Sequence, residues 1–325
     1  MDIISKVSKI PGMIEPIEQK CLFDLVNEFN LLPNDQVVEF GSFFGKSTAC
    51  LVEGLVKNKK RKPNNKVVAF DSFSCSSVGG FITHVNSFAK AGGTAHLLQE
   101  SEGHLNFFPV FEHYLKNHIT DGELMPVKAE LQNSLPGEIN QIALMHIDSP
   151  KFYEELKIII ERFFPLLRNG SIVIFQDFFY HWSGTLIAAV EAMRQMNILE
   201  YRFSAASSLV TKINNIADIE TVGALDKILA DPSTIKQLII DSIKACNGIQ
   251  CDRPNIFIPR LWLAAYQFMW EQKKPEEATN LLISFFASGG KLVQPVLDDY
   301  LEMMRQGFST RLSYENDHKP GINTL

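Results

Sequence analysis

VVEFGSFFGKST, residues 37–48, joins a run of apolar residues to a short glycine turn. Val37, Val38 and Phe40 around Glu39 read as a buried strand, and Gly41 and Gly45 frame the turn that precedes Lys46-Ser47-Thr48. A loop that cradles a triphosphate needs four residues between its glycines ahead of a Lys-Ser/Thr pair, and only Ser42, Phe43 and Phe44 stand here. The G-x-x-x-G spacing also departs from the G-x-G-x-x-G of dinucleotide-binding turns, which leaves a nicotinamide-dependent oxidoreductase as a minor third reading. The stretch predicts a strand ending in a carboxylate, followed by a glycine turn built for some other ligand.

Working outward, Gln36–Phe40, Lys66–Phe70, Leu124–Lys128, Ile142–Ile147 and Ser171–Phe175 are apolar enough to be buried strands. Amphipathic segments near 46–57, 105–118, 151–167 and 183–196 separate them and predict crossover helices over a parallel sheet. Leu199–Ser204 and Ser208–Ile213 follow without a helix between them and predict a terminal antiparallel hairpin. Seven strands ending in this way make an α/β, Rossmann-like sheet of the class I methyltransferase kind. Residues 1–34 read as an N-terminal helical segment, and 35–214 as the sheet domain. From 215 to 308 the patterns at Leu225–Leu229, Thr234–Cys246, Phe257–Glu271, Pro275–Ala287 and Val293–Met304 are helical only, an all-helical extension that covers the sheet domain or joins a second subunit. Residues 309–325 are polar and read as a flexible tail.

In open α/β sheets the ligand lies beyond the carboxyl ends of the strands. A carboxylate at Glu39 repels phosphate and suits hydroxyls or positive charge. S-adenosylmethionine offers an ammonium, a sulfonium and a ribose diol. Gly41 and Gly45 would let the backbone approach it, with Ser42 and Ser47 adding hydroxyls. Asp71, ending the second strand beside Ser72, is placed to accept ribose hydroxyls, and Glu130 and Ser134 after the third strand make a plausible adenine edge. A strand-end Asp is as often a turn or cap residue, so each of these signals is weak alone and gains from the others. Phe43 and Phe44 cover the cofactor or pack under the loop, while Phe107 and Phe108 read as helix core.

Composition narrows the alternatives. A net charge of −6 with 21% charged residues suggests neither disorder nor nucleic-acid affinity, and the basic run Lys57–Lys66 reads as a solvated loop. Five cysteines without a C-x-x-C spacing argue against a disulfide framework or zinc ribbon. The opening residues lack an apolar signal core and no run reaches about 18 apolar residues, so a cytoplasmic protein with no membrane partner is expected.

A longer ordered pattern follows. Leu144-Met145-His146-Ile147-Asp148 leads to Tyr153, Phe164-Pro165-Leu166-Leu167, Gly170, Gln176-Asp177 and Tyr180-His181-Trp182-Ser183-Gly184. With Glu39-x-Gly41, Phe70-Asp71-Ser72-Phe73 and Ser134-Leu135-Pro136, it resembles the macrocin O-methyltransferase family over roughly residues 35–195. The resemblance implies S-adenosylmethionine-dependent methylation of a sugar-like or polyol hydroxyl on a small-molecule acceptor, often in natural-product biosynthesis. It implies Mg²⁺ held by residues at 148, 176 and 177, with Asp148 also the general base; the apolar faces of the helical extension, not the resemblance, make a homo-oligomer the expectation. A hydroxyl is too weakly acidic to attack unaided, and a hard cation would lower its pKa and fix its direction. His181 is either a substrate contact or supplementary base, or a turn histidine packed near Trp182; His146 reads as core. The chain departs from the family at Gln176, where a carboxylate is expected, and at Pro150. A weakened Mg²⁺ site, a site for another metal and metal-free base catalysis all follow from that departure. A catalytically silent cofactor-binding or scaffold protein of the same fold is the alternative. Residues 72–105 and the helical extension would set specificity.

Overall fold

The computed structural model describes residues 3–78, 80–305 and 307. The tail expected from 309 onward lies outside them. The described residues up to Met145 form one compact unit and those from His146 a second.

The first unit opens with α1 (Ile3–Val7) and α2 (Pro16–Glu28), where Pro16 sits at the helix start and Glu15 and Glu18 form a reciprocal cap. Strand β1 (Asp35–Phe40) is buried along its whole length, and α3 (Lys46–Lys57) packs on α2. Strand β2 (Val67–Asp71) runs parallel to β1, with Val38 opposite Val68 and Phe40 opposite Phe70. Residues buried on both faces of a sheet carry no alternation, which explains the continuous apolar runs.

The segment that carried no motif folds into a small structure of its own. Strands β3 (Ser74–Ser76), β4 (Gln99–Ser101) and β5 (His104–Asn106) make a three-stranded antiparallel sheet, with α4 (Gly80–Ala91) between β3 and β4. The helix expected from 105 therefore starts later, as α5 (Phe108–Thr120). His104–Asn106 is committed to pairing with β3, and Asn106 Oδ1 accepts the Phe108 amide at 3.1 Å while Pro109 sets the first turn. Strand β6 (Leu124–Lys128) then pairs in parallel with β2.

Strand β7 (Gln141–Ile147) leads into the second unit, where α6 (Tyr153–Phe163) is shorter than the expected 151–167. Pro165 cannot donate an amide to continue the helix, so a single tight turn takes over and β8 (Leu167–Phe175) starts four residues earlier than read. After α7 (Gly184–Gln195), β9 (Leu199–Ala205) and β10 (Ser208–Ile213) form the expected hairpin, with β10 antiparallel to β8. The seven-stranded sheet has the order β6-β2-β1-β7-β8-β10-β9, the class I methyltransferase arrangement.

Among the described residues five helices follow: α8 (Ile219–Ile228), α9 (Pro232–Cys246), α10 (Pro254–Glu271), α11 (Pro275–Ala287) and α12 (Gln294–Arg305). Within the second unit α9 and α10 pack on α7, and Phe257 of α10 meets Phe179 beyond β8 at 5.1 Å. Tyr153 Oη donates to Asp226 of α8 at 2.8 Å, which ties the extension to α6. Among the described residues no helix is long and apolar enough to cross a membrane.

Candidate functional site

In the first unit the turn after β1 is held in an uncommon shape. Gly41 and Gly45 have φ of 88° and 91°, and Phe43, a bulky residue, has φ of 47°. Such a conformation persists only where its surroundings enforce it. Two features do so here. Asp71 Oδ2 accepts the amides of Ser42 at 2.8 Å and Phe43 at 2.9 Å, and its Oδ1 accepts that of Phe73 at 2.6 Å. Phe43 then stacks on Phe44 and meets Phe107 edge-on at 5.5 Å, inside an aromatic cluster that continues to Phe73. Phe107 links Phe43 and Phe44 to Phe73, a role that its apolar character alone could not reveal.

Asp71 thus organises the loop as well as ending β2. Burial pushes its carboxyl up to about 6, against the pull of the three amide bonds. Gly45 is explained by packing: a Cβ there would lie 2.5 Å from Leu115 Cδ1 and 3.0 Å from the Phe111 ring. Glu39 is fully buried and accepts the hydroxyl of Thr48 in the first turn of α3. Ser47 is buried in the same turn, Ser72 Oγ donates to the Ser74 carbonyl at 3.0 Å, Glu130 is exposed, and buried Ser134 donates to the Glu130 carbonyl at 3.2 Å. Ser42 differs from all of these. It is buried and its hydroxyl has no partner in the protein. An unpaired buried hydroxyl costs free energy unless a ligand completes it. With the residual acceptor capacity of Asp71, it leaves the turn a hydroxyl and a carboxylate able to meet a polar ligand.

A concavity of about 610 Å³ in the same unit lies at the other ends of these strands, lined by Gln36, Asn64 and Lys66. It includes none of the turn residues.

In the second unit, Asp148 follows β7 and Asp177 follows β8. Asp177 has φ of 59°, a conformation that Asp tolerates better than most residues. Between the two carboxylates sits Lys151, unnoticed in the sequence pattern. Its Nζ donates to Asp177 Oδ2 at 2.6 Å, to the Asp148 carbonyl at 2.6 Å and to Asp148 Oδ1 at 3.1 Å. Burial raises the Asp148 carboxyl, which Lys151 opposes and Asp177 reinforces.

Gln176 turns away into a polar network. Its Oε1 accepts from Ser208 at 2.6 Å and faces His146 Nε2 at 3.3 Å, and its amide donates to Ser207 at 3.3 Å. Ser207 in turn donates to Asp177 Oδ1 at 3.3 Å. The three expected Mg²⁺ ligands therefore do not fit that ion, which requires close, near-octahedral oxygen ligands. An ammonium already bridges two of them, and the third is consumed in the interior. Among the described residues no group of three or more His, Cys, Asp or Glu side chains could hold a metal.

His181 is buried in the turn beyond Asp177, edge-on to Trp182 at 4.9 Å, with Nδ1 unpartnered. Desolvation lowers its pKa to about 4, partly offset by Asp299. A neutral imidazole with so low a proton affinity is a weak base, and its surroundings are those of a packed turn histidine. Tyr180 stacks on Trp182 and lies beneath Arg260, whose guanidinium pairs with Asp299 at 2.6 Å, so α10 and α12 buttress this turn.

Residues 38–178, from β1 to the turn beyond β8, match the family described as a methyltransferase domain. No curated protein matches the chain in sequence. Among solved structures, the chain is similar to the O-methyltransferase NovP at 19% identity, over 61% of this chain and 78% of that one, with a TM-score of 0.42. It is similar to CalS11, a TDP-rhamnose 3′-O-methyltransferase, at 21% identity, over 60% and 77%, with a TM-score of 0.37. A Bacillus cereus O-methyltransferase in complex with SAH is similar at 12% identity, over 65% and 87%, with a TM-score of 0.40.

Proposed function

We propose that the chain is an S-adenosylmethionine-dependent O-methyltransferase of the macrocin type, acting on a sugar-like or polyol hydroxyl. The observation that carries this reading is the strained turn after β1, clamped by Asp71 and offering the unpartnered Ser42 hydroxyl, inside a span that matches a methyltransferase domain.

In this reading the first unit holds the cofactor. Asp71 fixes the turn and accepts from the ribose, Ser42 donates to the ligand, and Ser134 with Glu130 borders the base. Glu39 acts through Thr48 by fixing the first turn of α3. S-adenosylmethionine, when bound, supplies a methyl group on a sulfonium that leaves as a neutral thioether. Asp148 would take the hydroxyl proton as general base, and the bound cofactor would supply the methyl group and keep the carbon–sulfur electron pair. Burial raises the basicity of Asp148, in the direction that a general base requires. Residues 72–105 and the helical extension set the choice of acceptor. Exposed Ile283, Phe286 and Met304 on α11 and α12 favour a homo-oligomer.

Calorimetric titration with S-adenosylmethionine, its demethylated product and NAD tests the cofactor, and transfer of labelled methyl to a panel of sugar nucleotides and polyols tests the reaction. Binding of the first two but not NAD is expected. Cofactor binding with no transfer to any hydroxyl acceptor would leave the silent-protein alternative.

A further inference from the structure

We propose that the Lys151 ammonium is a built-in cation that occupies the seat of a divalent metal between Asp148 and Asp177, so that the acceptor is deprotonated without a metal ion. The inference rests on the methyltransferase reading for its catalytic meaning, but its electrostatic content stands on the second unit alone.

Three oxygens converge on one nitrogen: Asp177 Oδ2 and the Asp148 carbonyl at 2.6 Å, and Asp148 Oδ1 at 3.1 Å. An ammonium offers three donors, which matches this set. The lysine is fixed at both ends. Its backbone amide donates to Glu155 Oε2 in the first turn of α6 at 2.9 Å, and its side chain is 15% exposed. Pro150 stiffens the turn that returns it to Asp148. Two carboxylates this close repel each other unless a cation lies between them, and the chain supplies that cation itself.

A divalent ion has no comparable place. It would have to displace the ammonium or share two ligands with it against like-charge repulsion. Gln176 cannot compensate, because its amide is engaged with Ser208, Ser207 and His146. Lys151 engages Asp148 through Oδ1, which leaves Oδ2 to receive the acceptor's proton. Lys151 is thus a positioning residue that acts through Asp148.

The test is Mn²⁺ binding to the full chain, followed by electron paramagnetic resonance, with wild type, Lys151→Met, Lys151→Arg and Lys151→Met combined with Asp177→Asn. Wild type and Lys151→Arg should bind no Mn²⁺ at 1 mM, a concentration of the order at which weak carboxylate sites fill. Lys151→Met should gain a site at least tenfold tighter, and the added Asp177→Asn should remove it. A lysine that merely packs would produce no such gain, so a Lys151→Met protein without Mn²⁺ affinity overturns the proposal. Should Lys151→Met not fold, wild type decides: Mn²⁺ binding that Asp177→Asn abolishes gives the seat to the metal and overturns the proposal, and its absence upholds it. Cofactor calorimetry separates the two claims. Failure of wild type to bind S-adenosylmethionine sinks the methyltransferase reading without moving the Mn²⁺ result.

Discussion

Replacing Gly45 by alanine tests whether the turn after β1 is shaped by packing or by the ligand. Two costs are expected. At φ of 91° a Cβ is strained, which is worth about 1–2 kcal/mol. The new methyl would also stand 2.5 Å from Leu115 Cδ1 and 3.0 Å from Phe111 Cδ2, both on side chains no more than 1% exposed, and overpacking of that kind costs about 1–3 kcal/mol. The sum is roughly 2–5 kcal/mol out of a total stability of about 5–15 kcal/mol. Leu115→Ala separates the two costs. Alone it should destabilise by about 2–5 kcal/mol, but in the double variant the Cβ enters the vacated space and the cycle should show about 1–3 kcal/mol of favourable coupling. The residue of the Gly45 effect is then the backbone term. Trp182, Trp262 and Trp270 all lie beyond His146 and report on the second unit, so unfolding in urea should be followed by far-ultraviolet circular dichroism and by hydrogen exchange in α3. A Gly45→Ala cost below about 1 kcal/mol, or a cycle with no coupling, refutes the packing argument. Unchanged stability with lost cofactor affinity would assign the glycine to the ligand instead.

Ser42→Ala removes a buried, unpartnered hydroxyl, so apo stability should hold or rise slightly, while S-adenosylmethionine affinity falls by about 0.5–1.5 kcal/mol in calorimetry; equal affinity takes Ser42 out of the site. Asp71→Ala should weaken the cofactor by about 1.5–3 kcal/mol. Because burial holds the Asp71 carboxyl near about 6, only its ionised form being an acceptor for the ribose, wild-type affinity should be full above that pH and fall by up to about tenfold per unit below it; a flat profile from pH 7.5 to 5 counts against this role. His181 titrates in the folded protein at about 4 against 6.5 for an ordinary histidine, so the unfolded chain binds more protons between those values. Stability should therefore rise with pH across that window by roughly 3 kcal/mol, and His181→Gln should flatten this contribution in urea titrations. A slope equal in wild type and variant would show that His181 is not held neutral by burial.

The strand runs, the terminal hairpin and the helical extension were legible because each is written in neighbouring residues. Val67 to Phe70, or Ile172 to Phe175, are apolar without interruption, and burial on both faces of a sheet demands that pattern. The three-residue strands of the small sheet were not legible, since three residues cannot display a period and β3 pairs with β5 about thirty residues further on. The start of α5 and the end of α6 shifted for the same kind of reason, one through pairing and the other through Pro165. The candidate site divided along this line. Residue types at the strand ends named Asp71, Asp148 and Asp177, yet a strand-end aspartate reads alike whether it clamps a loop, holds a cation or meets a ligand. Only the folded chain brings the Ser42 and Phe43 amides onto Asp71, turns Gln176 inward to Ser208, and swings the four-carbon arm of Lys151 between Asp148 and Asp177. Local sequence sets backbone periodicity through the chain's own sterics and the burial of alternate faces. The partner of a charged side chain is set by which distant segments the fold brings within about 3 Å of it.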